Sequence, residues 1–117
     1  VPIYNNVKES IIMFDSLCSS FSGAVQYIFV DDNSSDEVSV WLNTLHEKSI
    51  DIIFNEANLG YAKSNNRGVK KATGEILVLL NNDLYPNPEL DIPIVLYLRA
   101  SLPNALLLVP IVLFLKD

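Results

Sequence analysis

The chain has 117 residues, of which 50% are hydrophobic and 19% charged, and this composition predicts one domain with a buried core rather than a disordered chain. The formal net charge of −6 argues against nonspecific nucleic-acid binding, which needs a basic surface. Phosphate ligands remain compatible with it, because a metal ion or helix N-termini can supply positive charge locally.

The first predicted strand, residues 1–4, runs into the turn signal of Asn5 and Asn6. Because the chain starts without a methionine or a secretory signal, we expect the sequence to be a fragment. A helix is predicted over residues 8–19, where the apolar residues fall on one helical face. The single cysteine, Cys18, excludes an internal disulfide bond and fits a reducing cytoplasm.

The second predicted strand, residues 24–30, leads into the polar run of residues 31–36. Ser35 or Asp36 can cap the helix that follows. The apolar stripe of that helix has the spacing i, i+3, i+4, i+7 and consists of Val38, Trp41, Leu42 and Leu45.

A third strand is predicted over residues 50–54, and a polar loop, residues 55–60, separates it from a helix over residues 61–73. Two lysines in the last turn of that helix complement its dipole, and Gly74 is the expected stop signal. A fourth strand is predicted over residues 75–80, and its continuous apolar run predicts a sheet that is covered on both faces.

The alternation of strands and helices up to residue 80 predicts an α/β fold with βαβ units and a mostly parallel sheet flanked by helices. Ligands of such open sheets bind beyond the carboxyl ends of the strands. Four polar loops are expected at that edge, namely residues 4–5, 31–36, 55–60 and 81–83. The sequence therefore predicts one site built from four distant segments.

Residues 92–115 are strongly apolar, with Arg99 as the only charged residue, and their length would allow a membrane span. Three prolines argue against a simple transmembrane helix. We expect a buried helix up to about Ser101 and a strand over residues 105–115 instead.

Several residues at the predicted edge can carry chemistry. Asp83 follows a buried strand, where a carboxylate can ligate Mg²⁺ together with substrate phosphates, or can simply form a polar turn. Asp31 and Asp32 can accept a hydrogen bond from a base or ribose, or can belong to a helix-capping loop. Tyr4 can stack on a base or merely finish its strand.

Gly60 permits a close approach of the backbone to a ligand. Asn66 and Gly68 are poor residues for the interior of the helix over residues 61–73, which indicates ligand contact or a short helix that packing stabilises. The single histidine and single cysteine exclude a His/Cys metal cluster, and neither a dinucleotide fingerprint nor a P-loop is present.

Taken in chain order, four motifs resemble those of the family 2 glycosyltransferases. Residues 1–5 resemble V-P-x-Y-N, residues 30–36 resemble V-D-D/N-G/N-S-x-D, residues 58–75 resemble N-x-G…N-x-G…A-x-G-E, and residues 80–83 match the variant metal motif L-N-N-D. Each motif is weak alone, but the ordered set is specific and covers the chain to about residue 90.

The resemblance implies a truncated GT-A fold with a Rossmann-like sheet, in which residues 1–117 are the nucleotide-sugar-binding part and the acceptor-binding part is missing. It implies an inverting hexosyltransferase of the rhamnosyltransferase-like variant, acting from a nucleoside-diphosphate-sugar on a saccharide or lipid-linked acceptor. The expected role is in bacterial cell-surface polysaccharide synthesis. The enzyme is expected in the cytoplasm, and the full-length protein can associate peripherally with the membrane. No nucleic-acid partner is expected.

By the same resemblance Asp32 would read the base, with Pro2 and Tyr4 bordering it, and Lys63 and Asn66 would line the diphosphate or sugar. The expected substrate-binding residues are Pro2, Tyr4, Asn5, Asp32, Ser34, Gly60, Lys63, Asn66, Asn81, Asn82 and Asp83.

The expected metal ligands are Asp83 and Asn81, at the two ends of the D-x-D-like motif, and the expected cofactor is Mg²⁺ or Mn²⁺. Asn81 is neutral where many relatives carry Asp, which lowers the charge of the site. Inversion needs a carboxylate that deprotonates the acceptor, and neither Asp91 nor Asp117 matches its position. The base is therefore expected beyond Asp117, and the isolated chain is expected to bind the donor weakly and not to turn over.

Two other readings remain open at this point. A sugar-phosphate nucleotidyltransferase also places nucleotides at a βαβ edge, but it usually carries a Gly-rich, basic first loop, unlike residues 2–5. A non-catalytic binding or scaffolding domain would use the apolar tail to dock a partner or a membrane.

Overall fold

The computed structural model describes residues 1–20, 25–45, 50–74 and 77–83, in which strands and helices alternate as predicted. The elements are β1 (Pro2–Ile3), α1 (Val7–Ser20), β2 (Tyr27–Asp31), α2 (Val38–Asn43), β3 (Ile50–Phe54) and α3 (Tyr61–Lys71). No helix within these ranges is both long enough and apolar enough to cross a membrane. The elements predicted between residues 92 and 115 lie outside the described part.

The three strands form a parallel sheet in the order β1-β2-β3, with β2 in the centre. The Val30 N–H donates to the Val1 carbonyl at 3.0 Å, and the Asp32 N–H donates to the Ile3 carbonyl at 2.7 Å. All three strands therefore end at the same edge, and the predicted α/β fold with a parallel sheet is confirmed.

The core lies between α1, α2 and one face of the sheet. Phe14 of α1 meets three aromatic rings edge to face, with centroid distances of 6.0 Å to Tyr27, 5.6 Å to Phe29 and 6.1 Å to Trp41. Such pairs stabilise a core beyond the area that they bury. The other buried members are Ile3, Met13, Leu17, Val38, Leu42, Leu45 and Leu80, which confirms the predicted apolar stripe of α2.

Asp36 stabilises the starts of two helices at once. Its Oδ1 accepts from the Val38 N–H at 3.0 Å, at the start of α2, and its Oδ2 accepts from the Val7 N–H at 3.2 Å, at the start of α1. A carboxylate at this place satisfies N–H groups that the helices cannot pair internally and complements both helix dipoles. The predicted interaction of Asp36 with the start of the second helix is observed, but the N-cap position itself is occupied by Glu37.

The end of α3 differs from the prediction, because the helix stops at Lys71 and Ala72 is already extended. The Gln26 side chain explains the difference. Its Oε1 accepts from the Thr73 N–H at 2.9 Å, and its Nε2 donates to the Lys71 carbonyl at 3.3 Å and to Asp51 Oδ2 at 2.7 Å. These hydrogen bonds hold the chain in a non-helical conformation before Gly74.

The predicted fourth strand is not observed where the structure describes it, since residues 77–80 have no strand assignment. Leu80 is nevertheless buried in the core. On its outward side β1 has no strand partner among the described residues, and Pro2, which faces that side, has no N–H to donate. Leu80 is therefore buried without being part of an assigned strand.

Candidate functional site

The carboxyl ends of the three strands place the predicted polar loops along one rim. Tyr4 and Asn5 follow β1, Asp32 follows β2 and Asn55 follows β3. Tyr4 is 50% exposed, and Pro2 is buried. The rim therefore has the position that ligand sites of open parallel sheets occupy.

Asn5 joins the first two loops. Its N–H donates to Ser34 Oγ at 2.8 Å, and its Oδ1 accepts from the Ser35 N–H at 2.8 Å. The polar run folds back on itself as well, because Asp31 Oδ1 accepts from the Ser34 N–H at 3.0 Å. The structure thus brings together Asn5 and Ser34, two of the predicted site residues.

Left-handed backbone at three asparagines shapes these loops. Asn5, Asn6 and Asn33 have φ values of 56°, 60° and 62°. Asparagine is one of the few residues besides glycine that adopts this conformation readily. The turn predicted at Asn5 and Asn6 is confirmed, and the preference for Gly or Asn at position 33 in the motif has a conformational cause.

The turn of residues 81–83 lies beside the first loop. Asn82 Nδ2 donates to Ser10 Oγ at 3.1 Å and to the Asn5 carbonyl at 3.4 Å. Asn81 and Asp83, on either side of Asn82, are exposed. The predicted metal ligands are therefore carried by an anchored turn with their own side chains accessible.

A second set of contacts surrounds Asp32, which is only 4% exposed. Its Oδ1 accepts from Asn55 Nδ2 at 2.7 Å and from the Leu59 N–H at 2.8 Å, and its Oδ2 accepts from the Gly60 N–H at 2.9 Å. Burial alone raises the pKa of Asp32, but these bonds and the nearby Ser64 hydroxyl outweigh burial and hold the pKa below its usual range.

Asn55 links this carboxylate to a cation. Its Nδ2 also donates to Ser64 Oγ at 2.9 Å, and its Oδ1 accepts from Arg67 Nη1. Both ends of the amide are thus used, which fixes its orientation. The sequence identified the loop of residues 55–60 but not Asn55, Ser64 or Arg67, and the only signal for Asn55 was its place directly after a strand.

Gly60 closes the loop and opens α3. Its backbone has φ 84° and ψ 164°, a conformation open essentially only to glycine, and its N–H also donates to Asn58 Oδ1 at 3.1 Å. Lys63 lies in the first turn of α3 and is exposed, and Asn66 is half-buried. Neither makes a hydrogen bond to Asp32 or to the turn of residues 81–83 among the described contacts.

The oxygen donors of the rim fit a hard divalent cation. Mg²⁺ or Mn²⁺ prefers carboxylate and amide oxygens, and Mg²⁺ is commonly held by one or two carboxylates together with substrate phosphates. Asp83 has no hydrogen-bond partner among the described residues, so its carboxylate is available. No group of three or more His, Cys, Asp or Glu side chains within this part of the chain could hold an ion alone.

A separate apolar cavity of about 390 Å³ lies between β2, α3 and residues 77–80. None of its described lining residues belongs to the four polar loops, and Val1 and Tyr27 place it towards the amino ends of the strands. The buried Asn65 Nδ2 in its wall has no hydrogen-bond partner in the part of the chain described. The cavity is distinct from the rim.

Comparison with known families and structures agrees with this geometry. The sequence model of Glycosyl transferase family 2 matches residues 1–112. An uncharacterized glycosyltransferase of Haemophilus influenzae is 34% identical over 83 residues, which are 71% of this chain and 28% of the relative. An uncharacterized glycosyltransferase of Rickettsia felis is 24% identical over 95 residues, which are 80% of this chain and 16% of the relative.

Among solved structures, the chain resembles a mannosyltransferase from Pyrobaculum calidifontis in complex with GDP-Man and Mn²⁺. The TM-score is 0.66 at 23% identity, and the match covers 74% of this chain and 27% of that one. This likeness shows the GT-A fold. The chain thus spans less than a third of the length of each of these proteins.

Proposed function

Since the chain belongs to glycosyl transferase family 2, we propose that it forms the donor-binding part of an enzyme that transfers a sugar from a nucleoside-diphosphate-sugar to an acceptor hydroxyl. The observation that carries the proposal is the anchoring of the 81–83 turn beside β1. Asn82 donates to both Asn5 and Ser10, so the predicted metal motif shares one rim with the loop that follows β1.

In the proposed site, the two ends of the rim bind different parts of the donor. Pro2 and Tyr4 border the base, and the exposed Tyr4 ring offers it a stacking face. Asn5 and Ser34 fix the loops between the base and the metal motif. The loop that Asp32 holds borders the donor from the other side and ends at Gly60.

Lys63 and Asn66 are proposed to face the diphosphate or the sugar. They lie on α3, and Lys63 is close to its N-terminus, where unpaired N–H groups and the helix dipole favour negative charge. The ammonium group of Lys63 adds a full positive charge there. This local charge offsets the acidic balance of the whole chain.

Asp83 and Asn81 would hold Mg²⁺ or Mn²⁺, with Asp83 as the charged ligand. When bound, the cation supplies positive charge to the diphosphate leaving group. The chain's own contribution is orientation: Asn82 fixes the turn, and the two flanking side chains stay free of competing protein contacts among the described residues. Because Asn81 is neutral, binding of the cation at this site depends on the additional negative charge of the donor phosphates.

The finer assignment rests on the family resemblance. We propose transfer with inversion, a rhamnosyltransferase-like use of the Asn-Asn-Asp motif, and a saccharide or lipid-linked acceptor in bacterial cell-surface polysaccharide synthesis. A cytoplasmic enzyme with peripheral membrane association fits that role. Inversion requires a general base, and we assign it to no described residue.

Calorimetric titration with UDP-, GDP- and dTDP-sugars, each with and without Mn²⁺, tests the proposal. We expect Mn²⁺-dependent binding of at least one donor, and Asp83→Asn should weaken it at least about tenfold, the lower end of effects seen when a metal site is perturbed. Asp15→Asn is the matched control, because Asp15 is an exposed carboxylate on α1, away from the rim. Binding of nucleoside triphosphates alone would indicate a nucleotidyltransferase, and no binding by folded protein would indicate a non-catalytic module.

A further inference from the structure

Asp32 and Asn55 lie side by side at the carboxyl ends of β2 and β3. The strand register places them there, because Asp31 pairs with Phe54 and the Asn55 N–H donates to the Asp31 carbonyl at 2.8 Å. Both side chains are buried, with 4% of Asp32 and 5% of Asn55 exposed. Buried polar groups need hydrogen-bond partners, so the partners of each atom show how the two side chains are oriented.

The two carboxylate oxygens of Asp32 are used unequally. Oδ1 accepts from Asn55 Nδ2 at 2.7 Å and from the Leu59 N–H at 2.8 Å. Oδ2 accepts from the Gly60 N–H at 2.9 Å. Because a carboxylate has about two acceptor positions on each oxygen, these bonds fill Oδ1 and leave acceptor capacity at Oδ2. A further N–H group can therefore bind at Oδ2.

The amide of Asn55 has one orientation that suits all of its neighbours. Nδ2 has two hydrogens and donates to Asp32 Oδ1 and, at 2.9 Å, to Ser64 Oγ, while Oδ1 accepts from Arg67 Nη1. A flipped amide would turn its oxygen towards the carboxylate and its hydrogens towards the guanidinium group, which is unfavourable at both ends. Asp32 and Arg67 therefore select the same orientation.

Asn55 determines which oxygen of Asp32 remains for a ligand. Without the Asn55 amide, Oδ1 would have a free acceptor position as well, and the carboxylate would lose a bond that fixes its plane. An ionised carboxylate accepts hydrogen bonds and donates none. It therefore suits a base with a ring N–H, such as uracil, thymine or guanine, and repels the bare ring nitrogen that cytosine and adenine have at the same place.

We propose that Asn55 is a positioning residue for recognition of the donor base. It holds the Asp32 carboxylate so that Oδ2 accepts from a ring N–H of the base, and Arg67 keeps the Asn55 amide in the orientation that this needs. The inference rests on the proposed function and on the base-reading role of Asp32 that the family resemblance implies. It adds Asn55 and Arg67, which act on the base through Asp32.

The first arm of the test measures, by calorimetry with Mn²⁺ present, the Kd values of two matched nucleotide pairs, UDP with CDP and IDP with ADP. In each pair a ring N–H and the neighbouring carbonyl are exchanged for a bare ring nitrogen and an amino group. In the pair that the wild type binds more tightly, we expect the N–H member to bind at least about tenfold better, because the other member leaves the acceptor unpaired. A wild-type ratio of one or below in both pairs overturns the inference.

Asn55→Leu keeps the approximate size of the side chain and removes its amide. We expect the ratio of Kd values within the pair to fall at least about threefold, because only the N–H member depends on the orientation of the carboxylate. A role of Asn55 in folding alone would weaken both members equally. An unchanged ratio therefore overturns the inference.

The second arm needs no nucleotide. It measures the pKa of the Asp32 carboxyl group by ¹³C NMR, and we expect a higher pKa in Asn55→Leu than in the wild type, because one donor to the charged form is lost. Equal values overturn the inference. Failure of the wild type to bind any of the four nucleotides refutes the proposed function, while this arm still decides whether Asn55 supports the carboxylate.

Arg67→Met is the second variant, and it decides if Asn55→Leu does not fold. Arg67 is exposed, so its substitution leaves the core intact. Lys70→Met is the matched control, since Lys70 is an exposed cation of the same helix without a described hydrogen bond to Asn55 or Asp32. We expect Arg67→Met to lower the ratio in the same direction as Asn55→Leu but less, and Lys70→Met to leave it unchanged. Equal ratios in the two methionine variants contradict the role of Arg67.

Discussion

Substitution of Gly60 by alanine tests the backbone conformation that the structure gives to the loop before α3. A Cβ at this residue would meet no heavy atom within 4 Å, so Gly60→Ala introduces no clash with the rest of the molecule. Its φ of 84° with ψ of 164° is nevertheless closed to L-alanine. The substitution therefore isolates backbone strain from packing.

The expected loss of stability follows from opposing contributions. Forcing a non-glycine residue into this region costs about 1–3 kcal/mol, and alanine is also a worse residue than glycine before a helix. The smaller conformational freedom of alanine in the unfolded chain returns about 0.4–1 kcal/mol. We expect a net loss of about 2 kcal/mol, which corresponds to a decrease in Tm of roughly 8 °C for a domain of this size.

Urea denaturation followed by circular dichroism measures the loss, and Gly68→Ala is the matched control. Gly68 lies inside α3, where a Cβ would approach Val30 Cγ2 to 3.3 Å and Ile28 Cγ2 to 3.7 Å. There the gain in helix propensity, about 1 kcal/mol, opposes a tight contact, and we expect stability within about 1 kcal/mol of the wild type. A Gly60→Ala variant as stable as the wild type, or more stable than Gly68→Ala, would refute the reasoning.

Three further outcomes are expected. The lowered pKa of Asp32 stabilises the fold above the unfolded-state pKa of about 3.9, and this contribution disappears as pH falls through the folded-state pKa. The difference in unfolding free energy between wild type and Asp32→Asn, measured in urea, should therefore shrink from pH 7 to pH 3. A difference that stays constant over this range contradicts the prediction. Phe14→Ala should cost about 3–5 kcal/mol in the same assay, because it empties a buried site contacted by three aromatic rings; a loss below about 1 kcal/mol would show that the cluster is not packed as described. Asp83→Ala should change stability by less than about 0.5 kcal/mol, since Asp83 is exposed, and a larger loss in thermal denaturation would give it a structural role.

The position of the site could be predicted because it depends on chain direction alone. Once strands alternate with helices, the strands are parallel and their carboxyl ends share one edge, so the loops at Asn5 and Asp32 have to lie near each other. Asn82 lies at the same edge although residues 77–80 before it form no strand. Hydrogen bonds from Asn5 to Ser34 and from Asn82 to Asn5 agree with that expectation. The roles of these residues towards a ligand remain predictions.

The partners of Asp32 could not be predicted, because they depend on register. Asn55, Leu59 and Gly60 lie 23, 27 and 28 residues further along the chain, and only the alignment of β2 with β3 places them beside the carboxylate. A shift of one residue would turn every side chain to the other face. Sequence patterns report which residues alternate, not which residues of two strands are opposite.

The run at residues 77–80 shows a different limit of sequence patterns. Its apolar character correctly predicted burial, as Leu80 shows, but a strand also needs a partner with free N–H and carbonyl groups. Pro2, the first of the two residues of β1, faces outward and has no N–H to donate. Hydrophobicity thus identified the environment of this segment and not its hydrogen bonding.

The strand order of the sheet, which is the same as the order along the chain, bears on how the molecule is made. Each new strand pairs with the one synthesised just before it, so the sheet is expected to grow from its N-terminal side while translation continues. The loops after β1, β2 and β3 would then be in place before residues 81–83 leave the ribosome. Docking of Asn82 onto Asn5 and Ser10 would be the closing event, so a nascent chain stalled before that point should have a sheet but an unfinished cleft.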